Sequence, residues 1–277
     1  MFFEEVIHKM STYPLVSILS TFKDSKDMLI LVMASVLSQD YPNIEHIIID
    51  SASIDGSVEL LHEYEKLYSN SNCKLKWKSE PDKCIPEGAN KAAALMTGDY
   101  FIFLTNPFIS TSSLSTLMNH LIDESLDAVC GGVLFHKEGI VIRRWKGNKW
   151  NWRFGWMAMN ETLCMKKELF VKHGPFNEDF NNAFDYDFQV QIFKDKETRC
   201  KSIKVPLVYF YAGGTSGGST AGNIVSIKEN IAILKHLKIS FAVFTVLCKC
   251  IAAFLAYTFV YKKDISKELA QLPGMNL

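Results

Sequence analysis

The apolar positions of the first hundred residues fall into two periods that take turns. Residues 15–22, LVSILSTF, are a short apolar, β-branched run that gives way to Lys23, Asp24 and Ser25, as a buried strand does where it empties into a loop. Met28, Leu31, Val32, Ser35, Val36 and Leu37 then recur near i, i+3, i+4 and i+7, the spacing of a helix with one buried face, and Pro42 requires that helix to stop by Gln39-Asp40-Tyr41. IEHIIID at 44–50 is a second strand that closes on a carboxylate. Ser51-Ala-Ser-Ile-Asp-Gly56 is turn chemistry, with Asp55 or Ser57 placed to cap a helix through Val58, Leu61 and Tyr64. A strand at 73–77 (CKLKW), a polar segment SEPDKCIPEG, a helix from about Ala89 to Met96 and a very apolar strand at 99–104 (DYFIFL) complete the series.

Strands that alternate with helices predict a parallel sheet with right-handed crossovers, a Rossmann-like half. Ligands of such open sheets sit where the carboxyl ends of the strands empty into loops, so the loops after Phe22, Asp50, Trp77 and Leu104 are the candidate site. Beyond Leu126 the elements are shorter and mixed. AVCGGVLF at 128–135 and IVIRRW at 140–145 predict an α+β second half that completes the same sheet. No linker-like stretch or internal repeat interrupts residues 1–235, which form one expected domain; residues 236–277 form a hydrophobic helical tail.

Within that tail, Ile239 to Tyr261 is a run of 23 residues with one charge, Lys249, flanked by Lys235, Lys238, Lys262 and Lys263. The length suits a bilayer span, but a mid-span Lys costs roughly 3 kcal/mol and lysines on both flanks give no orientation bias, so a helix lying in the interface competes with a spanning one. A helix packed on the domain or on a partner subunit is the third placement. Contact with a membrane surface is the expectation.

The composition narrows the class further. Thirty Lys+Arg balance thirty Asp+Glu in 277 residues, which leaves no field to hold a polyanion and excludes nucleic acid as an expected partner. A hydrophobic fraction of 48% supports a sizeable core. Seven cysteines, odd in number and without a CxxC pair, read as reduced cytosolic thiols. MFFEEVIHKMSTYP lacks the basic then apolar order of a signal peptide, so export is not expected.

Three blocks in order resemble the family 2 glycosyltransferases, inverting enzymes with the GT-A fold: residues 16–57, from VSILSTFKDS to IDGS; SEPDKCIPEGANKAAALMTGDYFIFL; and TLCMKKELFVKHGPFNEDFNNAFDYDFQVQIF at 162–193. The resemblance spans roughly residues 14 to 216. It implies a GT-A, mostly parallel sheet flanked by helices, followed here by the C-terminal hydrophobic helix. It also implies a nucleotide-diphosphate sugar donor and a glycan or lipid-linked acceptor, in surface polysaccharide biosynthesis at the cytoplasmic face of the cell membrane.

The resemblance also assigns residues. Thr21, Phe22, Lys23 and Asp24 match the loop over the nucleotide base, where an aromatic ring can stack, and Asp50 lies near the nucleoside. Ser51 stands where many members carry a second acid. Asp82 and Lys83 fall at the donor, a carboxylate for hydroxyls and a cation for phosphate, with Asn90 and Lys91 opening the next helix; Cys84 replaces a customary Gly. Asp185 matches the general base that takes the acceptor's proton, with Asp187 supporting it; both also suit the first turn of a helix.

The largest departure follows DYFIFL. Members carry two acids there that hold Mg²⁺ or Mn²⁺ across the diphosphate, whereas this chain reads Thr105-Asn106-Pro107-Phe108, with no carboxylate between Asp99 and Asp123. The metal ligands are therefore absent at this position, Asn106 is left as the polar donor contact, and Phe108 puts a ring where a ligand is expected. Met159-Asn160-Glu161-Thr162 stands where relatives often show His followed by Gln or Ser. Arg143, Arg144, Lys146 and Lys149 with Trp145, Trp150 and Trp152 could cover a diphosphate or lipid phosphate, or form a solvated loop with core tryptophans, and Gly213-Gly214-Thr215-Ser216 resembles the closing loop. Two functions compete: an active hexosyltransferase, and a catalytically impaired relative that binds or scaffolds. A nucleotidyltransferase would want a glycine-rich phosphate loop after the first strand, and none is present.

Overall fold

A computed structural model describes residues 13–146, 158–212, 220–258 and 263–265. Its first half alternates as the hydrophobic periods require: β1 (Val16–Phe22), α1 (Lys26–Leu37), β2 (Ile44–Asp50), α2 (Ser57–Ser69), β3 (Cys73–Ser79), α3 (Ile85–Ala94) and β4 (Tyr100–Phe103). β1 lies between β2 and β4, β3 flanks β2, and all three pairings are parallel. The second half contributes α4 (Ser113–Asp123), β5 (Ala128–Lys137), β6 (Ile140–Trp145), β7 (Leu163–Lys166), α5 (Lys167–His173), α6 (Phe184–Lys194), β8 (Cys200–Tyr211), α7 (Thr220–His236), α8 (Ala242–Thr258) and β9 (Lys263–Asp264). β7 inserts antiparallel between β4 and β5, so the two halves share one mixed sheet, β3-β2-β1-β4-β7-β5-β6-β9, with β8 parallel to β5.

Alternation along β2 shows how one strand serves two layers. Ile44 and Ile48 join Leu29, Val32, Met33 and Leu61 of α1 and α2 on one face. Ile47 and Ile49 join Ala89, Ala92 and Ala93 of α3 and Phe188 and Ile192 of α6 on the other. Each such aliphatic side chain contributes about 1.5–3 kcal/mol on burial, and a strand buried on both faces reads as a continuous apolar run. Of the polar exceptions, His46, fully buried, bridges Ser20 Oγ (2.9 Å) and Tyr68 Oη (2.6 Å), and burial drives its pKa down to about 3, which keeps the ring neutral.

Several boundaries differ from expectation. α3 begins at Ile85 rather than near Ala89, because Pro86 fits a helix's first turn, where its missing N–H is no loss. The N-cap of α2 is Gly56, at φ 89°, instead of Asp55 or Ser57. Asp55 accepts from Ser57 N (3.1 Å) and from Lys26 N (2.8 Å), so it fastens the starts of both α1 and α2.

α7 and α8 pack on α6 through Tyr186, Val190, Ile233, Leu234, Ala242 and Val246. The division at residue 235 falls at the end of α7, and after α8 the chain returns to pair β9 with β6. At 1.5 Å per residue, the 17 residues of α8 reach about 26 Å. Among the described residues no helix is long and apolar enough to cross a membrane.

Candidate active site

The carboxyl edge of the parallel strands carries a lattice of cross-tied loops. After β1, Asp24 accepts from Ile54 N (2.9 Å) and its own N–H donates to Ser53 Oγ (2.8 Å), which locks the first loop to the one after β2. Asp50, fully buried at the end of β2, accepts through Oδ2 from Ser53 N (3.0 Å) and Ser79 Oγ (2.6 Å), while Oδ1 has no partner. Ser51 Oγ donates to Asp82 Oδ2, and Asp82 Oδ1 accepts from Lys91 Nζ at 2.6 Å.

Lys91 is the cation of this corner. Beyond Asp82 it reaches Glu80 (3.2 Å), Glu87 (3.4 Å) and the carbonyl of Pro81 (3.0 Å). The hydrogen bond to Asp82, followed by Glu80, raises its pKa, so it stays charged at any physiological pH. Thr21 borders the same point. A Cβ added to Gly88 would lie 2.7 Å from Asp82 Oδ2 and 3.5 Å from Thr21 Cγ2, so the absence of a side chain at Gly88 is what lets α3 lie this close to β1.

Three expectations change here. Phe22 is 5% exposed and packs in the core with Val16 and Ile18, because strand alternation turns it to the α1 and α2 face; its ring cannot stack on a base. Lys83 is exposed, and the lysine that pairs with Asp82 is Lys91, in the second turn of α3. Asn90 turns away from the loop: it exchanges hydrogen bonds with the backbone of Phe176, Nδ2 to O at 3.0 Å and N to Oδ1 at 2.9 Å, and so docks α3 on the segment before α6.

The loop after β4 is built differently. Glu161, in the single turn before β7, is 7% exposed and sits against Thr105 and Asn106. Its Oε1 accepts both the Thr105 hydroxyl and Asn106 Nδ2 (3.0 Å), and its Oε2 is buried without a partner. Asn106 Oδ1 accepts from Tyr211 N (3.0 Å), which commits that amide to the protein frame. Burial raises the Glu161 pKa to about 7; the Thr105 and Asn106 hydrogen bonds oppose the rise and the Asp185 charge adds to it. Phe108 does not intrude: its ring lies in the core, 1% exposed, and its backbone bridges to Val208.

A metal fits these residues poorly. A divalent cation wants several oxygen ligands with carboxylate charge among them. Among the described residues the carboxylate bonded to Thr105 and Asn106 is Glu161, one oxygen of which is already saturated, and no group of three or more metal-ligating side chains occurs.

Asp185 and Asp187 lie in the first turn of α6. Two residues apart on a helix means about 200° of rotation, so they face opposite ways. Asp185 is half-buried, accepts from Tyr186 N (2.8 Å) and faces Glu161 closely enough to raise its pKa. Asp187 is 5% exposed, accepts from Gln191 Nε2 (3.1 Å), and its raised pKa reflects burial opposed by Gln191 and by His236 of α7. It therefore supports the helix packing and does not support Asp185. Arg143 stacks its guanidinium 4.9 Å from both the Phe135 and Trp145 ring centroids, and Arg144 donates to the carbonyl of Lys204, so both serve the sheet end. Lys149, Trp150, Trp152 and Gly213 to Ser216 lie outside the described residues.

The sequence pointed at Glu161 only as a changed position. The usable signal was a pair of observations: acids missing after β4, and an acid gained in the turn before β7.

Over 142 residues, 51% of the chain and 37% of the relative, it is 25% identical to the cholesterol galactosyltransferase of Borreliella burgdorferi. Over 91 residues, 33% of the chain and 35% of the relative, it is 32% identical to the putative teichuronic acid biosynthesis glycosyltransferase TuaG of Bacillus subtilis. The chain thus spans about a third of the length of these curated relatives. In structure it resembles the mannosyltransferase PcManGT of Pyrobaculum calidifontis, solved with GDP-Man and Mn²⁺ (TM-score 0.63, 17% identity, 90% of this chain and 76% of that one). It also resembles S. aureus TarS 1–349, solved with UDP-GlcNAc (TM-score 0.61, 14% identity, 79% and 66%). The family model for glycosyl transferase family 2 matches residues 17–184, from the start of β1 to the first residue of α6, well over half of the chain. With the GT-A fold and that match together, the chain belongs to glycosyl transferase family 2.

Proposed function

We propose that the protein moves a glycosyl group, with inversion, from a nucleotide-diphosphate sugar to a hydroxyl of a glycan or lipid-linked acceptor during assembly of a surface polysaccharide. The observation that carries this reading is the place of Asp185 in the first turn of α6, near enough to Glu161, beside the loop after β4, for the two charges to interact. In that place it takes the acceptor hydroxyl's proton as the oxygen attacks the anomeric carbon. The bond from that carbon to the diphosphate breaks on the opposite side, and the nucleoside diphosphate leaves. Asp50, with a buried oxygen left unpaired, and the Ser51, Asp82 and Lys91 corner with Thr21 and Asp24 form the donor side. Likeness to proteins solved with GDP-Man and UDP-GlcNAc supports a nucleotide-sugar donor.

The acceptor is met at a membrane surface on the cytoplasmic side. One face of α8 packs inward through Ala242 and Val246, while Phe241, Val243, Phe244, Leu247 and Ile251 are all more than half exposed, with Lys235 and Lys238 close by. An apolar face edged by lysines suits an anionic interface. Transfer and hydrolysis assays with UDP-, GDP- and dTDP-sugars, run with and without Mn²⁺, test the reaction. Turnover of none would favour the impaired, binding-only reading. Sedimentation with anionic vesicles tests the surface: Phe244→Ser with Leu247→Ser should release the protein, and unchanged binding would remove α8 from the account.

A further inference from the structure

Glu161 has a geometry that the reaction above leaves unused. One carboxyl oxygen is saturated by two donors, the Thr105 hydroxyl and the Asn106 amide; the other, Oε2, is buried and unpaired at the loop where members of the family hold a metal. Both donors are fixed in turn, Asn106 by the backbone of Tyr211 at the end of β8. A carboxylate there would add a negative charge beside Asp185 and beside any diphosphate, with no cation among its bonded partners. Carrying a proton on Oε2 removes that charge and turns the idle acceptor into a donor.

We propose that Glu161 meets the donor's diphosphate as a neutral carboxylic acid, donating a hydrogen bond from Oε2 to a phosphate oxygen in place of a bridging metal ion. This rests on the nucleotide-diphosphate reading of the site. Among the described residues, the charge that acts on Glu161 is Asp185 of α6. The strands packed against its turn are β4, β5 and β8, whose titratable residues are Tyr100 of β4, Cys130, His136 and Lys137 of β5, and Cys200, Lys201, Lys204, Tyr209 and Tyr211 of β8. Burial lowers the His136 pKa, so it is neutral where Glu161 titrates. Below the Glu161 pKa, raised by burial to about 7, the acid is ready to donate; above it, deprotonation both deletes the donor and repels the phosphate.

The test is calorimetric titration of UDP, GDP and dTDP into the full chain, in excess chelator, across the neutral range, for the wild type and for Glu161→Gln. An amide keeps the shape and retains a donor at every pH, and the probe's own phosphate ionisation is common to both proteins. Between one unit below and one unit above neutrality, wild-type affinity should fall about tenfold more than that of Glu161→Gln, the loss that accompanies a one-unit pKa difference between free and bound states. Melting curves verify that both proteins are folded across the range. Parallel pH profiles for the two proteins overturn the inference, as does a wild-type affinity that chelator abolishes at every pH. If no probe binds either protein even with Mn²⁺ supplied, the donor reading itself falls and this inference with it.

Discussion

Two glutamates are buried at opposite edges of the same sheet, and the protein solvates them in opposite ways. Glu45, near the amino end of β2 and 1% exposed, receives five hydrogen bonds: from Ser17 Oγ, Lys76 Nζ, Thr97 N, Thr97 Oγ1 and Gly98 N. Burial would raise its pKa, but the Lys76, Ser17 and Thr97 bonds outweigh it and hold the carboxyl near about 2. Glu161, at the carboxyl edge, receives two bonds on one oxygen, and its pKa is pushed up to about 7. The first side chain is finished by the protein and staples β1, β2 and β3 to the turn before β4. The second is left half-finished at the edge where substrates of open sheets bind. A buried acid whose partners are complete is structural, and one left with an idle oxygen invites a ligand.

The sharpest way to break this contrast is at the acid beside Glu161. Asp185→Asn should lower turnover 10²- to 10⁴-fold, about 3–5 kcal/mol, with donor affinity and melting temperature nearly unchanged. Asp187→Asn, on the opposite side of α6, should leave turnover per folded molecule intact. Equal losses in the two variants would show that packing of α6 against α7, and not a base, was being read.

At the finished end, Glu45→Gln should cost roughly 3 kcal/mol of stability, since it strips Lys76 of its partner and sets an amide against backbone donors. Turnover per folded molecule should not move. Chemical denaturation with a specific-activity measurement decides it, and a fall in specific activity would mean that the amino edge communicates with the site.

The pH dependence of stability separates the two glutamates by sign. Glu45 binds its proton less tightly folded than unfolded, so its contribution is present above its usual pKa of 4.5 and is lost as pH falls toward about 2. Glu161 binds its proton more tightly folded, so stability is full below 4.5 and declines as pH rises to about 7, by up to about 3 kcal/mol. Glu161→Gln should flatten the neutral arm and Glu45→Gln the acid arm. A neutral arm that survives in Glu161→Gln would assign it to another group.

The smallest expected effect probes the charge-balanced corner. Gly88→Ala pushes a methyl group to 2.7 Å from Asp82 Oδ2, so Asp82 must shift away from Ser51 and Lys91. Nucleotide affinity should fall about tenfold, some 1.4 kcal/mol, with little change in melting temperature. Unaltered affinity in titration calorimetry would remove Asp82 from the donor side.

The corner around Asp82 and the pair around Glu161 also differ in how plainly they could be read. Asp82, Lys91, Glu80 and Glu87 lie within one loop and the helix it enters, so they are neighbours in sequence as well as in space. Even there, that Lys91 is the lysine paired with Asp82 depends on where α3 starts, and Pro86 sits in its first turn. Glu161 is 56 residues from Thr105 and joins it only because β7 inserts beside β4.

Hydrophobic period by itself determined the strand and helix order of the first half, because burial on two faces or one leaves a local imprint on the residues that form each element. It likewise marked Asp50 and the loops after β1 to β4 as the edge where chemistry would sit. Tertiary structure decided the rest: that Phe22 belongs to the core, that Asp187 turns toward α7, that Phe108 lies under β8, and that an acid missing from one loop is supplied from another strand's approach. These are questions of which way a side chain points and what meets it. The answers lie in contacts between segments far apart in the chain, where local sequence carries no record.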